Sequence, residues 1–382
     1  MRETQLPPTR MRTSDIHLAV ASDIHLGNRR TPTRGILRNL RAAFPDNEET
    51  AQLDLICLAG DVFDTLFSLN DEDVPEIDFW IRDLLMLCKK HDIILYVLEG
   101  TRSHDWEQSK RFVTINEIAG INAKLRYVNR ISIEYEPSLD LWIGFVPDEA
   151  TPDTARTLSE FQSLMKAKGI EKVDLNFMHG HFEFQLPAAA RVPKHDSAAW
   201  LAITRSLLFI GHNHRHSSFE RIYAQGSFDR YSHGHEEPKG HLRAILHASG
   251  DHEVVFVENT GARLYITIDC TDLSVQAALR AIEERARTMP EHSAVRIEAN
   301  ADHPLLADMD ALIRLYPFFS WSKNPIQPDE QDRPIYNDDP EVFEPVTIHA
   351  GNILQLLTER MIASGVSATV LAVAQQKIQE VM

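Results

Sequence analysis

The chain has 382 residues, of which 43% are hydrophobic and 25% are charged, a composition typical of a soluble globular protein with two or three domains. Its formal net charge of −17 disfavours general attraction to nucleic acid or to an anionic membrane, so a DNA-binding role would require a local basic groove or bound cations. The sequence has no apolar run of about 18 residues, which argues against a membrane-spanning helix.

Cysteine usage and the N-terminal residues both favour the cytoplasm. Cys57, Cys88 and Cys270 are scattered and form no CxxC pair, as expected for free thiols in a reducing compartment. Residues 1–15 are polar and lack the apolar core of a signal peptide. We therefore expect a cytoplasmic protein.

Strands and helices alternate along residues 16–262, which predicts an α/β domain. The second predicted strand, 53–59, is too apolar to face water on either side and is therefore expected to be buried. The predicted strands are 16–21, 53–59, 93–98, a strand pair within 125–146, 173–178, 207–210, 242–247 and 253–257, and the predicted helices are 36–43, 74–92, 154–168 and 197–206.

The pattern changes near residue 263. Residues 263–322 predict a compact β-α-β-α-β domain without candidate ligands at its strand ends, with strands 264–269, 294–299 and 318–322 and helices 274–288 and 305–315. Residues 323–347 are rich in proline and acidic residues, which predicts a linker. Residues 348–382 predict a helix or helix pair whose apolar stripe either packs on its own domain or binds a partner.

Metal-ligand residues follow the first predicted strand. Asp23 and His25 lie two residues apart, so an extended backbone places the carboxylate and the imidazole on the same side. Asp15 and His17 have the same spacing, but Asp15 precedes that strand. Because ligands collect at the carboxyl ends of strands in open α/β sheets, Asp23 and His25 are the better candidates.

Four further strand ends carry ligand residues. The set comprises Asp61, the pair His104 and Asp105, the pair His179 and His181, and the pair His212 and His214 in a GHNH turn. Each of these strand ends, taken alone, could simply carry a surface histidine or an aspartate that caps a helix. Their joint placement predicts a metal centre. Mixed imidazole and carboxylate ligation suits manganese, iron or zinc, and one carboxylate can bridge two ions about 3.5–4 Å apart. Phosphoester hydrolysis is the reaction that such a pair favours.

At these residues, over roughly positions 16–260, the chain resembles the calcineurin-like metallophosphoesterase superfamily, whose pattern is DxH, GDxxD, GNH(D/E), H and GHxH. The resemblance implies a four-layer α-β-β-α sandwich with two divalent ions, manganese being expected and iron or zinc the alternatives. It implies that Asp64 orients a ligand and that His104 donates a proton to the leaving oxygen, with Asp105 holding the His104 ring. The implied ligands are Asp23, His25, Asp61 and His214 for one ion, and Asp61, His179 and His212 for the other.

Two ligand positions stay open. The family's asparagine before the catalytic histidine is absent, because the loop reads GTRSHD and Ser103 precedes His104. Ser103 is the candidate substitute ligand, and Thr101 is the alternative. His179 and His181 compete for one position, and His179 is favoured because it directly follows its strand, as the family ligand does.

A second signature narrows the resemblance. Gly226-Ser227, an acidic loop and Lys239-Gly240 resemble the GS…KG segment of SbcD-type nucleases, the meiotic-recombination-eleven family of DNA repair and recombination. This branch implies DNA as substrate, a capping domain at 263–322, and docking of residues 348–382 on an SMC-like ATPase of SbcC type, with a homodimer as a further assembly. The GTRSHDW loop resembles phage-encoded members, which would act in the host cytoplasm.

Three arginines follow the first ligand pair. Arg29, Arg30 and Arg34 either form a solvated loop or contact phosphates, and the sequence favours neither. Arg29 and Arg30 are the DNA-binding candidates.

Two other functions compete with a DNA nuclease. The acidic surface favours a phosphodiesterase or phosphatase for small substrates, whereas the altered GTRSHD loop favours a non-catalytic scaffold, against which the retained His104 argues.

Overall fold

The computed structural model describes residues 14–326, with gaps at 69, 149–152 and 188, and also residue 358. These residues belong almost entirely to the first of two units of the chain, Met1–Pro328; the second unit is Asp329–Met382. The predicted linker from residue 327 onward and the predicted C-terminal helices therefore lie outside the described residues, Thr358 apart. None of the helices in the described part combines the length and the apolar character that a membrane span requires.

Strands and helices alternate through most of the described chain. The strands are β1 (Ile16–Ala21), β2 (Leu55–Ala59), β3 (Ile94–Leu98), β4 (Leu125–Val128), β5 (Ser132–Glu136), β6 (Leu141–Val146), β7 (Val173–His179), β8 (Thr204–Gly211), β9 (Ser217–Phe219), β10 (Ile222–Ala224), β11 (Gly240–Leu246), β12 (His252–Glu258), β13 (Tyr265–Asp269), β14 (Ala294–Asn300) and β15 (Ser320–Ile326). The helices are α1 (Thr33–Ala43), α2 (Glu48–Ala51), α3 (Val74–His91), α4 (Arg102–Asp105), α5 (Arg111–Ile118), α6 (Thr154–Lys168), α7 (Ser197–Ile203), α8 (Val275–Ala286), α9 (Pro304–Ala307) and α10 (Met309–Leu315), with 3₁₀ turns at Gln108–Lys110 and Glu183–Gln185.

Two six-stranded sheets form the centre of the molecule. The first has the order β12-β11-β1-β2-β3-β4, and its strands β1 to β4 are parallel. The second has the order β5-β6-β7-β8-β10-β9, and its strands β6, β7, β8 and β10 are parallel. In both sheets the parallel strands therefore bring their carboxyl ends to a common edge.

The two sheets pack face to face between outer helices. Alternate residues of β1 show the layering, because Leu18 and Val20 join the apolar core between the sheets whereas Ala19 and Ala21 join the core beneath α1, α3 and α5. A third core lies between the second sheet and the helices α6 and α7. The described part of the chain is thus an α/β sandwich with the α-β-β-α layers that the resemblance implied.

A smaller parallel sheet, β13-β14-β15, follows the sandwich and has its own apolar core beneath α8, α9 and α10. Its β-α-β-α-β order agrees with the prediction for 263–322. Two details differ. The predicted helix 305–315 is two helices that meet at Asp308, and β15 continues to Ile326, so the first residues of the predicted linker pair with β14.

The segment 125–146 contains the predicted strand pair and also a strand that was not predicted. It contains three strands, and the first of them, β4, lies parallel to β3 in the first sheet. Only β5 and β6 pair with each other, antiparallel, in the second sheet. The chain crosses between the sheets after Val128, a change that alternation of apolar residues alone does not reveal.

Candidate metal centre

The predicted ligands come together where the carboxyl ends of both sheets meet. Three segments leave the parallel strands β1, β2 and β3 of the first sheet, and two leave β7 and β8 of the second. Among the described residues, three groups of side chains have ligand atoms within 4.8 Å of one another. They are Asp23, His25 and His214; Asp61, His179 and His212; and His25, Asp64 and His104.

Backbone hydrogen bonds hold the first two segments together beyond the ends of their strands. The Asp23 amide donates to Gly60 O at 3.0 Å, and the His25 amide donates to Asp61 O at 3.0 Å. Asp23, His25 and Asp61 all have a left-handed backbone, with φ of 50°, 51° and 50°. Non-glycine residues rarely adopt this conformation, so the surrounding ladder must maintain it.

The first group is built around two facing imidazoles. His25 Nε2 and His214 Nε2 are 3.0 Å apart, and Asp23 Oδ1 lies 3.7 Å from His214 Nε2. Burial and then the neighbouring His25 lower the pKa of His214 to about 3, so this ring is neutral and has a lone pair available. Two nitrogens bound about 2.1 Å from one ion at right angles would be separated by about 3 Å. The donor types and their spacing therefore fit a divalent cation.

The carboxylates of Asp64 and Asp23 fix the positions of the residues in this group. His25 Nδ1 lies 2.9 Å from Asp64 Oδ1, which leaves His25 Nε2 facing His214. A carboxylate on the second ring nitrogen is the usual way in which a metal-binding histidine is oriented. The His212 amide donates to both oxygens of Asp23 at 3.0 Å, so Asp23 ties the first sheet to the GHNH turn of the second.

The second group contains a histidine, His179, whose side chain is completely buried. His179 Nδ1 lies 2.9 Å from Ala59 O and must donate to it, which leaves Nε2 unprotonated in the neutral ring and 3.3 Å from Asp61 Oδ2. Gly60 makes this approach possible, because a Cβ at that residue would lie 2.2 Å from His179 Nδ1. Burial and then the charge of His179 lower the pKa of His212 to about 3, so His212 is also a neutral donor.

Asp61 is the anionic centre of the cluster. Burial raises the pKa of this carboxyl, but the imidazoles of His179 and His104 outweigh burial and hold it well below its usual range. Conversely, burial lowers the pKa of His179, whereas the Asp61 charge raises it to about 10. Asp61 and His179 therefore each favour the charged form of the other.

His104 lies at the open side of the cluster. Its Nδ1 is 3.0 Å from Asp61 Oδ2, and its side chain is 35% exposed, against 2% for His25 and 0% for His179. The expectation that Asp105 holds this ring is wrong. The oxygens of Asp105 accept the backbone amides of Asp61, Phe63 and Gly100 at 3.0, 2.9 and 2.7 Å, so Asp105 fixes the loops around Asp61 instead.

The structure distinguishes between the alternatives at both open ligand positions. Ser103 is exposed on α4, whereas the Thr101 hydroxyl contacts Asp61, His179 and His212. His179 belongs to the second group, whereas His181 packs its ring against His212 with the centroids 4.4 Å apart. The structure therefore places Thr101 and His179 at the cluster, and Ser103 outside it.

The GS…KG segment makes hydrogen bonds to the backbone of the GHNH turn. The Ser227 amide donates to His214 O at 3.1 Å, and the buried ammonium of Lys239 donates to the same oxygen at 2.7 Å and to Glu237 at 2.7 Å. Gly226 has φ of 74°, and a Cβ there would lie 3.0 Å from His214 O. This signature therefore fixes the backbone that presents His214.

Two residues at the site were not predicted. The Tyr231 hydroxyl donates to the carbonyls of Asp23 and Ile24 at 2.9 and 2.6 Å, and its ring packs against His25 with the centroids 5.0 Å apart. The Ser22 hydroxyl donates to Asp23 Oδ2. Ser22 directly precedes the DxH pair and could have been considered, but the position of Tyr231 in a long polar loop provided no signal.

The remaining candidates lie away from the ligands or at their margin. Asp15 pairs with His247 at 2.9 Å, at the opposite end of β1 from Asp23. Arg29 and Arg30 are exposed, and the Arg30 carbonyl accepts from the Arg263 guanidinium. Arg34 pairs with Glu76 at 3.2 Å on the surface.

Comparisons with known proteins give structural likenesses without a family. No protein-family model matches the chain, and no curated protein matches its sequence. TT1561 of Thermus thermophilus is similar with a TM-score of 0.38 and 10% identity, covering 63% of this chain and 98% of that one. GAP50, the anchor in the inner membrane complex of Plasmodium, is similar with a TM-score of 0.38 and 16% identity, covering 65% of this chain and 85% of that one.

Proposed function

We propose that the chain is a metal-dependent phosphodiesterase with a dinuclear centre, of the calcineurin-like type that its motifs resemble. The observation that carries this proposal is the pair of adjoining donor groups, Asp23/His25/His214 and Asp61/His179/His212, linked by the hydrogen bond from the His212 amide to Asp23. Four imidazoles and two carboxylates suit manganese, iron or zinc, and we propose manganese.

The chain's own residues divide the work of hydrolysis. Bound divalent ions would supply Lewis acidity toward a phosphoryl group and would activate water. Asp61, which contacts His104 and His179, would be the carboxylate shared by both ions. His104 is the most exposed imidazole of those compared above, so it can reach a substrate and protonate the leaving oxygen while Asp61 holds its other nitrogen.

We further propose DNA as the substrate and an SMC-like ATPase as the partner, bound through residues 348–382. Support comes from the resemblance of the GS…KG segment to SbcD-type nucleases and from the exposed arginines 29 and 30 beside the DxH loop. Because Cys57, Cys88 and Cys270 are all free and buried, the cytoplasm is the proposed compartment. The net charge of −17 favours the second candidate, a phosphodiesterase for small substrates.

One assay separates these functions. The chain is freed of metal with a chelator, supplied with Mn²⁺, and incubated with linear duplex DNA, bis-p-nitrophenyl phosphate and p-nitrophenyl phosphate. Manganese-dependent cleavage of the DNA and the diester is expected. Hydrolysis of the small esters without DNA cleavage would favour the small-substrate enzyme. Loss of all three activities in a chain that still binds Mn²⁺ would favour a scaffold.

A further inference from the structure

Thr101 is held against the metal centre by its backbone. The Thr101 amide donates to Asp61 Oδ1 at 2.5 Å, and the Thr101 carbonyl accepts the amides of His104 and Asp105 at 2.8 and 2.9 Å. Gly100 allows this close approach, because a Cβ there would lie 2.1 Å from the Asp61 amide nitrogen. Residue 101 therefore has little freedom to move away from Asp61.

The Thr101 hydroxyl is not used as a helix cap. Thr101 is the N-cap residue of α4, a position where threonine usually accepts a backbone N–H with its side-chain oxygen, yet its hydroxyl makes no such bond. Instead Thr101 Oγ1 lies 3.2 Å from Asp61 Oδ2, 3.4 Å from His179 Nε2 and 3.1 Å from His212 Nδ1. The hydroxyl therefore points among the three side chains of the second donor group.

The spacing of these four atoms is that of ligands around one ion. Asp61 Oδ2 and His179 Nε2 are 3.3 Å apart, so four of the six separations lie between 3.1 and 3.4 Å. In a regular tetrahedron with edges of about 3.3 Å, the centre lies about 2.0 Å from each corner, which is the bond length of zinc to nitrogen or oxygen ligands. A hydroxyl at the fourth corner completes the donor set that the three other residues leave open.

We propose that Thr101 Oγ1 is a ligand of the ion held by Asp61, His179 and His212, in the place where the metallophosphoesterase motif that the chain resembles has an asparagine. This inference rests on the proposed dinuclear function. A neutral hydroxyl is a weaker donor than an amide oxygen, so this second ion is bound less tightly than it would be with that asparagine. The first ion is the one held by Asp23, His25 and His214.

Substitution of the hydroxyl tests this assignment through binding. Mn²⁺ binding to the metal-free chain is measured by titration calorimetry for the natural chain, Thr101→Val, Thr101→Ser and the exposed control Ser103→Ala. Loss of a group that only orients a ligand typically lowers metal affinity by about 10–100-fold, so Thr101→Val should weaken the second ion at least about tenfold. The first ion should be unaffected, and Thr101→Ser and Ser103→Ala should bind as the natural chain does.

Several outcomes would overturn the assignment. Unchanged affinities in Thr101→Val would show that the hydroxyl is not a ligand. Tighter binding in that variant would show that the hydroxyl occupies the ion's own position. Equal weakening of both ions would assign Thr101 a structural role at Asp61. A natural chain that binds no Mn²⁺ would instead refute the proposed function itself.

A cysteine variant gives a direct spectroscopic test if Thr101→Val does not fold. A thiolate bound to Co²⁺ produces an intense near-ultraviolet charge-transfer band, and the buried Cys57, Cys88 and Cys270 are common to every variant. Thr101→Cys loaded with Co²⁺ should show this band, and Ser103→Cys should not. A band in both variants or in neither would contradict the proposed ligation.

Discussion

Asp61 is the residue on which the candidate centre depends most. One oxygen of Asp61 accepts the Thr101 amide, and the other contacts the imidazoles of His104 and His179. A single carboxylate therefore interacts with three neighbouring groups. Asp61→Ala should abolish Mn²⁺ binding and hydrolysis, because two cations would then lack their shared counter-charge. Metal content after gel filtration measures this. Asp15→Ala is the matched control, since Asp15 pairs with His247, and two ions retained by Asp61→Ala would disprove the ligand assignment.

His104 provides the test of catalysis at the residue scale. General acid catalysis is typically worth about 10²–10⁴-fold, so His104→Gln should lower the rate of DNA cleavage by that factor with metal content unchanged. The loss on bis-p-nitrophenyl phosphate should be smaller, because p-nitrophenolate leaves without protonation. Steady-state rates on both substrates measure the difference. Equal losses accompanied by lower metal content would make His104 a ligand instead of an acid.

The ligand residues were easier to locate from the sequence than the groups that support them. Positions directly after apolar strands indicated Asp23, Asp61 and the GHNH turn, and a glycine turn marked the last two. Hydrogen bonds to backbone amides leave no such pattern, so nothing in the sequence indicated that Asp105 serves three amides instead of the His104 ring. The position of the Thr101 hydroxyl likewise depends on the close approach of Gly100 to Asp61, which is a tertiary contact.

Strand β11 carries a buried histidine that should make the sandwich sensitive to acid. His241 is 2% exposed, packs against the Phe44 ring, and has a pKa lowered to about 3 by burial and then by Arg243. The unfolded chain takes up this proton near pH 6.5 and the folded chain does not, so stability falls as the pH drops below about 6.5. This contributes a loss of roughly 2 kcal/mol between pH 7 and pH 5.

His241→Phe should remove that part of the acid sensitivity. Phenylalanine has a similar shape and removes a buried ring nitrogen, Nδ1, that has no hydrogen-bond partner. Urea unfolding at pH 7 and pH 5 measures the difference in stability, which should shrink in the variant. His247→Gln is a control of opposite sign, because the hydrogen bonds that His247 donates to the carboxylates of Asp15 and Glu253 raise the pKa of His247, and its stabilisation is lost as the pH rises. An unchanged acid response in His241→Phe would refute the explanation.

Elements buried on both faces were the most predictable. The runs that form β2 and β3 are continuously apolar, and β1 and α6 have the bounds that the sequence predicted. The helix α5 was not predicted, because only Phe112 is buried in it and its apolar periodicity is correspondingly weak. The sequence did not show that β4 belongs to the first sheet, because the chain passes to the second sheet directly after β4 and no local pattern of residues encodes that change.

At the scale of the molecule, the apolar cores formed by the described residues have their members between residues 16 and 321. If residues 348–382 serve only to bind a partner, a chain ending at Val346 should unfold at the same urea concentration and hydrolyse a small diester at the natural rate. If residues 348–382 bind an ATPase, ATP-stimulated cleavage of duplex DNA should fall. An insoluble truncated chain would show that the segment belongs to the fold.

The left-handed backbone at the candidate ligands affects which variants would be obtained by selecting for heat resistance. Asp23, His25, Asp61 and His212 have φ between 50° and 94°, and each non-glycine residue in that region costs about 1–2 kcal/mol relative to an ordinary backbone. Glycine would remove that cost and the ligand together. A library of variants selected for heat resistance alone should therefore accumulate glycine at these four positions and lose its metals first. Heat resistance and metal binding thus compete for the same few residues.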